Sequence, residues 1–497
     1  MNLTKLHKIL LYSLGVYLLL YTVLLFLNLH LIPLAWIDEV LGLDPAIQFI
    51  NGNGYTSMLW PQRGSDHLFL AYLPLQGMTH VMQQWILPFD IYWVRFPSAI
   101  YLITGTILLY CSIRTKGLSV FIALALITLI INEKSLFETT RGVRIEPLIF
   151  CILSATFYSI LKHRIHLTAI LITLLLFSHP NVWPICLVLF LNSCFRYNNA
   201  SYFSISILKP NVLWLYPIGG LLLFSFLIDF QFGMQIQQFS HQGSEHSAHG
   251  GILTRLSNHF ITRFWPYYWS QPWVPLLIYV ALGQSIYAVF KKKFAYLQTT
   301  IILTHLIWLI FLGPFYRYNS ILVLLSVLWL VDFIIAHKFT LHQPKWKIAV
   351  FTLVFLSSTD VILRHSMAII QREERNPYPV LDWLESNLPQ NEEYIITGSD
   401  IAYYATAQKQ NAAYFMYNMP PYTYDFKKFQ KHYIISPEPI KNTLLVAQYR
   451  VPSTSLSKKF NSKTYCNLYL NLVSSPNEYE KILIEMDDES RIEVSKR

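Results

Sequence analysis

Long apolar runs alternate with short polar segments over the first three quarters of the chain. A helix needs roughly 20 apolar residues to cross a bilayer, and the pattern predicts about eleven such helices, the shorter of which would borrow flanking residues. The predicted spans are residues 9–32, 96–113, 117–132, 146–161, 165–178, 182–195, 212–230, 272–290, 296–312, 319–336 and 348–363. This pattern is typical of a polytopic α-helical membrane protein.

The segment 67–88, "HLFLAYLPLQGMTHVMQQWILP", does not fit that pattern. It contains two His, two Pro, one Gly and three Gln. Pro74 and Gly77 disfavour a straight span. We therefore predict an amphipathic helix that lies in the membrane interface.

The last quarter of the chain alternates short apolar runs, such as "YIITG", "HYIIS" and "LLVAQY", with polar turns. The stretch "PVLDWLESNL" predicts a helix with Val380, Leu381, Leu384 and Leu388 on one side. We predict two domains: a transmembrane module over 1–370 and a small extracytoplasmic α/β domain over 371–497. The aromatic stretch "YFMYNMPPYTYDF" would either contact a glycan or pack in the domain interface.

Composition and charge support this division. The chain is 54% apolar and 13% charged, whereas ordinary soluble domains are about 25% charged. Residues 1–370 hold 23 basic and 12 acidic residues, a net of +11, and residues 371–497 hold 15 and 16, a net of −1. Because membrane proteins carry Lys and Arg for topology, the overall charge of +10 does not predict a nucleic-acid partner. Four of the five cysteines lie in apolar segments, and none has metal-site spacing.

The positive-inside rule orients the spans. With the N-terminus in the cytoplasm and 67–88 not spanning, every inner loop is basic, and an odd number of spans places the tail outside. Apart from Lys134, the basic residues left on outer loops are arginines: Arg63, Arg95, Arg141, Arg144, Arg255, Arg263, Arg317 and Arg364. The planar guanidinium binds oxyanions in pairs. These arginines therefore indicate a phosphorylated ligand at the outer face.

Three acids follow the first span in "PLAWIDEVLGLDPA". Asp38 and Glu39 open the first outer loop, where Asp38 would either cap a short helix or take a proton from an acceptor hydroxyl. Asp44 before Pro45 has the pattern of an N-cap followed by proline at the first helical position.

Further candidates lie on the next two outer segments. Arg63 and Asp66 belong to a loop rich in Gly, Asn and Ser, whose alternative role is a solvated turn. In "FETTRGVRIEP", Arg141 and Arg144 would share a helical face if that piece is helical. The alternative is an ion pair between one arginine and Glu146.

The remaining candidates are outer turns. His179 would either form the turn before Pro180 or donate a hydrogen bond to a phosphate. The loop 231–271 holds His241, Glu245, His246 and His249, which indicate either a metal site or a mobile lid. In the same loop Arg255, His259 and Arg263 are spaced to point the same way. Arg317 lies between two tyrosines, and its alternative role is to reach lipid headgroups.

The order of these motifs resembles the GT-C superfamily of integral-membrane glycosyltransferases, in particular protein O-mannosyltransferases and lipid A aminoarabinose transferases. The matching pieces are the acidic pair Asp38-Glu39, two helices at the membrane surface, "RFPSAI" at the second span, "RGVRIEP" after the third, and the His179-Pro180 turn. The stretch "YPVLDWLESNLPQNEEYIIT" is similar to the start of the C-terminal outer domain. In many relatives the second surface helix begins with a Lys/Arg-Pro-Pro motif, which is missing here. We therefore assign the role of donor-phosphate ligand at this place to Arg63.

This resemblance implies a polyprenyl-phosphate sugar donor and inversion at the anomeric carbon. Asp38 would be the general base, and the arginines would stabilise the departing phosphate. Many members of the superfamily use a divalent cation such as Mg²⁺ or Mn²⁺, which this sequence neither requires nor excludes. Pentose, aminopentose and hexose donors all fit, and so do lipid, protein and cell-envelope glycan acceptors. The expected location is the plasma (inner) membrane, with the active site outside.

Three other functions compete with this interpretation. A transporter or flippase of a lipid-linked sugar would also bury charges among many helices, but the sequence shows no inverted repeat. A ligase or polymerase of whole oligosaccharides would carry longer outer loops. A non-catalytic scaffold leaves the outer arginines unexplained.

Overall fold

The computed structural model describes most of the membrane module and part of the tail. The described residues are 3–32, 37–57, 68–70, 73–198, 212–236, 238, 251–291, 296–311, 315–337 and 344–388, then 392, 394–396, 401, 403–404, 412–414, 433–436, 443–450 and 465–471.

Each of the eleven predicted spans contains a helix. These helices are α1 (Leu3–Leu27), α4 (Ile91–Thr115), α5 (Val120–Ile131), α7 (Glu146–Leu161), α8 (Ile165–Leu176), α9 (Trp183–Asn198), α10 (Leu215–Leu227), α12 (Trp273–Phe290), α13 (Tyr296–Phe311), α14 (Asn319–Ala336) and α15 (Pro344–Ile370). Among the described residues, five helices are long and apolar enough to cross a membrane, in α1, α4, α12, α14 and α15, and the other six apolar helices have 10–17 residues. The count of eleven spans therefore stays a prediction.

Shorter helices connect these segments: α2 (Ile37–Ile50), α3 (Pro74–Ile86), α6 (Lys134–Thr139) and α11 (Ile252–Phe260), with single 3-10 turns at Pro180–Val182, Val212–Trp214, Thr262–Phe264 and Tyr316–Tyr318. Helix α3 has the amphipathic form that its sequence predicts. It exposes Met78, Met82 and Trp85 and buries His80 and Val81.

Helix α2 corrects one expectation. It begins at Ile37 and continues through Pro45, so Asp44 is not its N-cap. The buried Asp44 carboxylate instead accepts hydrogen bonds from Ser57 Oγ at 2.7 Å and Gln48 Nε2 at 3.2 Å. These two hydrogen bonds stabilise the Asp44 carboxylate inside the helix, so it has no capping role there. Asp38 lies in the first turn, where the helix dipole favours a negative charge.

The chain divides into two compact units. Unit 1 contains residues 1–29, 70–76 and 95–366, and unit 2 contains 30–69, 77–94 and 367–497. The domain division predicted at residue 370 stays a prediction.

Helix α14 lies at the core of unit 1. It packs against α5, α7, α12 and α13, and 67% of its most apolar window is buried. Helices α4 and α7 also approach closely at Gly105. A Cβ added at this glycine would lie 2.9 Å from the Cys151 Cα atom. A larger residue at Gly105 would push these helices apart.

Unit 2 contains a five-stranded sheet in the order β2-β1-β3-β5-β4. The strands are β1 (Tyr394–Ile396), β2 (Ala412–Tyr414), β3 (Tyr433–Ser436), β4 (Thr443–Arg450) and β5 (Tyr465–Asn471). β1 is parallel to β2 and β3, whereas β5 is antiparallel to β3 and β4. Helix α16 (Tyr378–Asn387) precedes β1 and buries Val380 and Leu384, as predicted. Residues 415–426 of the aromatic stretch lie outside the described residues.

Candidate functional site

The segment 315–318 connects several charged residues of unit 1. Arg263 Nε donates a hydrogen bond to the Phe315 carbonyl at 3.2 Å. The Tyr316 hydroxyl donates to Glu138 at 2.7 Å. Tyr318 pairs with His179, at 3.2 Å between its hydroxyl and Nε2. This segment, between α13 and α14, therefore gathers residues from four different loops.

His179 performs the turn role that its sequence allows. Its Nδ1 accepts a hydrogen bond from the Asn181 backbone N–H at 3.2 Å, which caps the 3-10 turn at Pro180–Val182. A neutral imidazole that accepts at Nδ1 carries its proton on Nε2. His179 therefore donates its Nε2 proton to the Tyr318 oxygen.

Arg144, Glu146 and Arg317 form the first cationic cluster. Arg144 holds the buried Glu146 carboxylate with two hydrogen bonds, Nη2 to Oε1 at 2.9 Å and Nε to Oε2 at 3.2 Å. Arg317 lies close enough to interact electrostatically with the same carboxylate. Two guanidinium groups thus interact with the same carboxylate.

Arg141 occupies a different environment from Arg144. The chain between α6 and α7 is a turn and not a helix, so the two arginines do not share a helical face. Arg141 is fully buried, and its Nη2 donates to His365 Nε2 at 2.8 Å. Its guanidinium stacks 3.9 Å from the Phe137 ring. Burial lowers the pKa of Arg141, but an arginine stays charged in proteins.

Arg263 forms the second cationic cluster with two histidines. It is fully buried and lies over the Trp308 ring at 4.5 Å. Its Nη1 approaches His259 Nδ1 at 3.4 Å, and His259 Nε2 lies 2.9 Å from His305 Nδ1. Among the described residues, Arg263 Nη2 has no hydrogen-bond partner although it is buried. A buried cation without a carboxylate is unfavourable unless a ligand compensates its charge.

Arg255 and Arg364 have other roles in the structure. Arg255, partly exposed, donates to the Ile310 carbonyl at 3.3 Å. Arg255 and His259 lie four residues apart within α11, but His259 is buried and Arg255 is partly exposed. The predicted spacing does not extend to Arg263, because α11 ends at Phe260 and Arg263 lies in the following 3-10 turn. Arg364 pairs with Glu138 at 2.9 Å and with Asp360 at 3.1 Å, so its charge is compensated.

Glu133 is a buried acid that sequence reasoning missed. It caps α6 by accepting from the Ser135 and Leu136 backbone N–H groups, both at 2.8 Å. The Tyr267 hydroxyl donates to it at 2.5 Å. Burial raises the pKa of Glu133. The available signal was an acid between the end of a span and a serine two residues later, a capping pattern.

The predicted catalytic residues belong to unit 2. Asp38 lies in the first turn of α2, and the Glu39 side chain is buried. Arg63 and Asp66 lie outside the residues that the structure describes, as do His241, Glu245, His246 and His249. In the described part of the chain, no three His, Cys, Asp or Glu residues are grouped closely enough to hold a metal ion.

The fold is that of the GT-C glycosyltransferases, the class that the order of motifs predicted. The particular proteins with this fold are two solved structures of ArnT from Cupriavidus metallidurans. One, bound to undecaprenyl phosphate, superposes with a TM-score of 0.56 at 10% identity, over 93% of this chain and 98% of that one. The other, in the apo state, gives 0.55 at 10% identity, over 93% and 99%. No protein-family model matches the sequence, and no curated protein is significantly similar to it.

Proposed function

We propose that this chain is an integral-membrane glycosyltransferase that moves a sugar from a polyprenyl-phosphate donor to an acceptor hydroxyl at the outer face of the plasma membrane. The observation that carries the proposal is Arg263, a fully buried cation whose Nη2 has no partner among the described residues. A protein of the same fold, ArnT, has been solved with undecaprenyl phosphate bound. A lipid phosphate supplies the anion that Arg263 needs.

The donor phosphate is proposed to bind to the outer arginines of unit 1. Arg263 offers Nη2, whose N–H groups have no partner among the described residues, and Arg144 and Arg317 both interact with the Glu146 carboxylate. Arg141 provides a second buried guanidinium, whose Nε has no partner among the described residues. It stays a predicted ligand of the donor phosphate. Such fixed donors stabilise charge that develops on a leaving phosphate, because they need no reorganisation during the reaction.

The proposed reaction is an inverting displacement. The acceptor oxygen forms a bond to the anomeric carbon while the bond from that carbon to the phosphate oxygen breaks. Asp38 takes the proton from the acceptor hydroxyl as general base, and polyprenyl phosphate leaves with the electron pair. Glu39, next to Asp38, is buried and is proposed to support it. A divalent cation such as Mg²⁺ or Mn²⁺ stays an expectation from the resemblance, and no step is assigned to it.

The donor sugar is proposed to be a pentose, an aminopentose or a hexose, and the acceptor a lipid, a protein or a cell-envelope glycan. Purified protein in nanodiscs, supplied with radiolabelled polyprenyl-phosphate sugars and candidate acceptors, tests the proposal. We expect labelled product from the unaltered chain and at least a 100-fold loss of turnover in Asp38→Asn, since general bases contribute roughly 10²–10⁴-fold.

The arginine assignments are tested with the same material. Arg263→Gln should lower donor affinity about tenfold or more, as expected for a lost hydrogen bond to a charged group. Arg164→Gln, an exposed arginine on a loop predicted to be cytoplasmic, is the matched control and should bind normally. Full turnover in Asp38→Asn would remove that residue from the mechanism. Movement of intact donor across the bilayer without transfer would favour the flippase alternative.

A further inference from the structure

The tautomers of His259 and His305 follow from the fact that a guanidinium can only donate hydrogen bonds. Because Arg263 Nη1 faces His259 Nδ1 at 3.4 Å, that nitrogen must hold a lone pair. His259 therefore carries its proton on Nε2 and donates it to His305 Nδ1 at 2.9 Å. His305 in turn carries its own proton on Nε2. The three residues form one directed chain, from Arg263 to His259 to His305.

Packing keeps both imidazoles in this arrangement. His259 and His305 are 2% and 4% exposed. The Phe260 ring meets His259 edge-on at 4.7 Å and stacks parallel to His305 at 6.3 Å. A proton added to either acceptor nitrogen would point at another N–H. Burial, reinforced by the Arg263 charge, lowers the pKa of His259 to about 2.

In the described part of the chain, no neighbouring group would stabilise a charged imidazole in this pair. The other titratable groups that face Arg263 are phenols: Tyr267 from the segment before α12, Tyr279 from α12, and Tyr318 before α14. Among the described residues no carboxylate faces the cluster. The histidine pair therefore stays neutral throughout the range of pH that a cell surface meets.

Three of the contacts fix the guanidinium itself. Nε is bonded to the Phe315 carbonyl, Nη1 faces His259, and the plane lies over Trp308. Trp308 is held in turn by the hydrogen bond from its Nε1 to the Asn181 carbonyl at 2.8 Å. Nη2 is buried, and among the described residues it is the nitrogen of Arg263 that has no hydrogen-bond partner.

We propose that His259 and His305 are positioning residues, a neutral pair with fixed tautomers that holds Arg263 so that Nη2 is kept for an oxygen of a lipid-borne phosphate monoester or diester. The pair does not touch the ligand; it acts through Arg263. This inference rests on the proposed function, because the phosphate that it serves is that of the polyprenyl donor.

The first measurement is spectroscopic and needs no ligand. Protein labelled with ¹³C and ¹⁵N at histidine is placed in nanodiscs, and the two signals are assigned by their loss in His259→Asn and His305→Asn. We expect two neutral imidazoles with the proton on Nε2, unchanged between pH 7.5 and pH 5.5. A proton on Nδ1, or a charged ring at pH 7.5, would overturn the proposal.

The second measurement is binding of undecaprenyl phosphate. His259→Leu removes the contact with the charged guanidinium and should weaken binding about tenfold. His305→Leu removes a hydrogen bond between two neutral rings and should weaken binding about fivefold. His259→Asn and His305→Asn place an oxygen near the position of Nδ1, so they should restore binding to within about threefold of the unaltered chain. Melting temperatures close to that of the unaltered chain establish that the variants are folded.

Controls separate the sources of phosphate. Inorganic phosphate at the same concentration should bind much more weakly, and nanodiscs with and without phosphatidylglycerol should give the same undecaprenyl phosphate affinity. Competition by phosphatidylglycerol would assign the site to ordinary lipid headgroups and overturn the donor assignment. If the unaltered chain binds no undecaprenyl phosphate, the proposed function fails as well. If it binds and the leucine variants bind equally well, only this inference fails.

Discussion

At the scale of single residues, Arg141 and Arg263 occupy the same kind of environment. Each is fully buried, each lies on an aromatic ring, and each contacts a neutral histidine. Since Arg141 donates to His365 Nε2, His365 carries its proton on Nδ1. The Asn28 side-chain amide, 3.2 Å from that Nδ1, must therefore present its oxygen. Two buried guanidinium groups thus remain uncompensated by carboxylates among the described residues.

Titration of His259 has a consequence for stability. Its pKa is lowered from 6.5 to about 2 in the folded chain, so the unfolded chain binds the proton more tightly. The contribution of His259 to the free energy of unfolding is therefore fully present above pH 6.5 and falls as the pH drops from 6.5 toward 2. The maximal slope is about 1.4 kcal/mol per pH unit. Denaturation of the unaltered chain and of His259→Asn at pH 7.5 and 5.0 should show a steeper loss in the unaltered chain.

The same pH dependence in both proteins would contradict a buried neutral His259. His337, exposed at the C-terminal end of α14, is a suitable control. His337→Asn should leave the difference between pH 7.5 and pH 5.0 unchanged.

Several residues of the site could be identified from sequence because they violate a rule. Outer arginines break the positive-inside pattern, which singled out Arg141, Arg144, Arg263 and Arg317. Their partners could not be identified, because the contact between Arg141 and His365 joins residues 224 positions apart. His305 could have been identified from the sequence, because it is an ionisable residue inside an apolar run and such residues are usually functional.

At the scale of elements, the approach of α4 to α7 depends on one glycine. A Cβ at Gly105 would lie 2.7 Å from Phe150 Cδ1 and 2.9 Å from the Cys151 Cα atom. Gly105→Ala should therefore destabilise the chain by roughly 1–3 kcal/mol, as overpacking does. Thermal unfolding in detergent measures the effect.

Gly15, in α1, is the matched control. Nothing lies within 4 Å of a Cβ added there, so Gly15→Ala should be neutral or stabilise the helix by up to about 1 kcal/mol. Equal melting temperatures for the two variants would mean that α4 and α7 do not meet at Gly105.

Helices could be predicted where a long apolar run is enough to identify them. Predictions from short local patterns, such as a capping pair, were less reliable. Each of the eleven predicted apolar runs contains a described helix, because such a run must bury or embed a continuous apolar surface. The Asp44-Pro45 pair was misread, since tertiary hydrogen bonds from Ser57 and Gln48 outweigh the local capping preference. Strands β2 and β5 were missed because their sequences are short or polar, and their stability comes from pairing with distant strands.

At the scale of the whole molecule, the roles proposed for the acids and arginines require them to face the same compartment. Charge counting predicts that the loop after α1 and the loops that carry the arginines lie outside. The fold alone does not orient this chain in its membrane. Orientation must therefore be measured directly.

Cysteine labelling is the most direct measurement. In a chain whose five native cysteines are replaced by serine, Asn53→Cys and Lys162→Cys place single thiols at exposed positions on opposite predicted sides. An impermeant maleimide added to intact spheroplasts should label Asn53→Cys, whereas Lys162→Cys should react only after permeabilisation. Labelling of Lys162→Cys in intact spheroplasts, with Asn53→Cys protected, would place the acidic pair in the cytosol and contradict a transferase that works at the outer face.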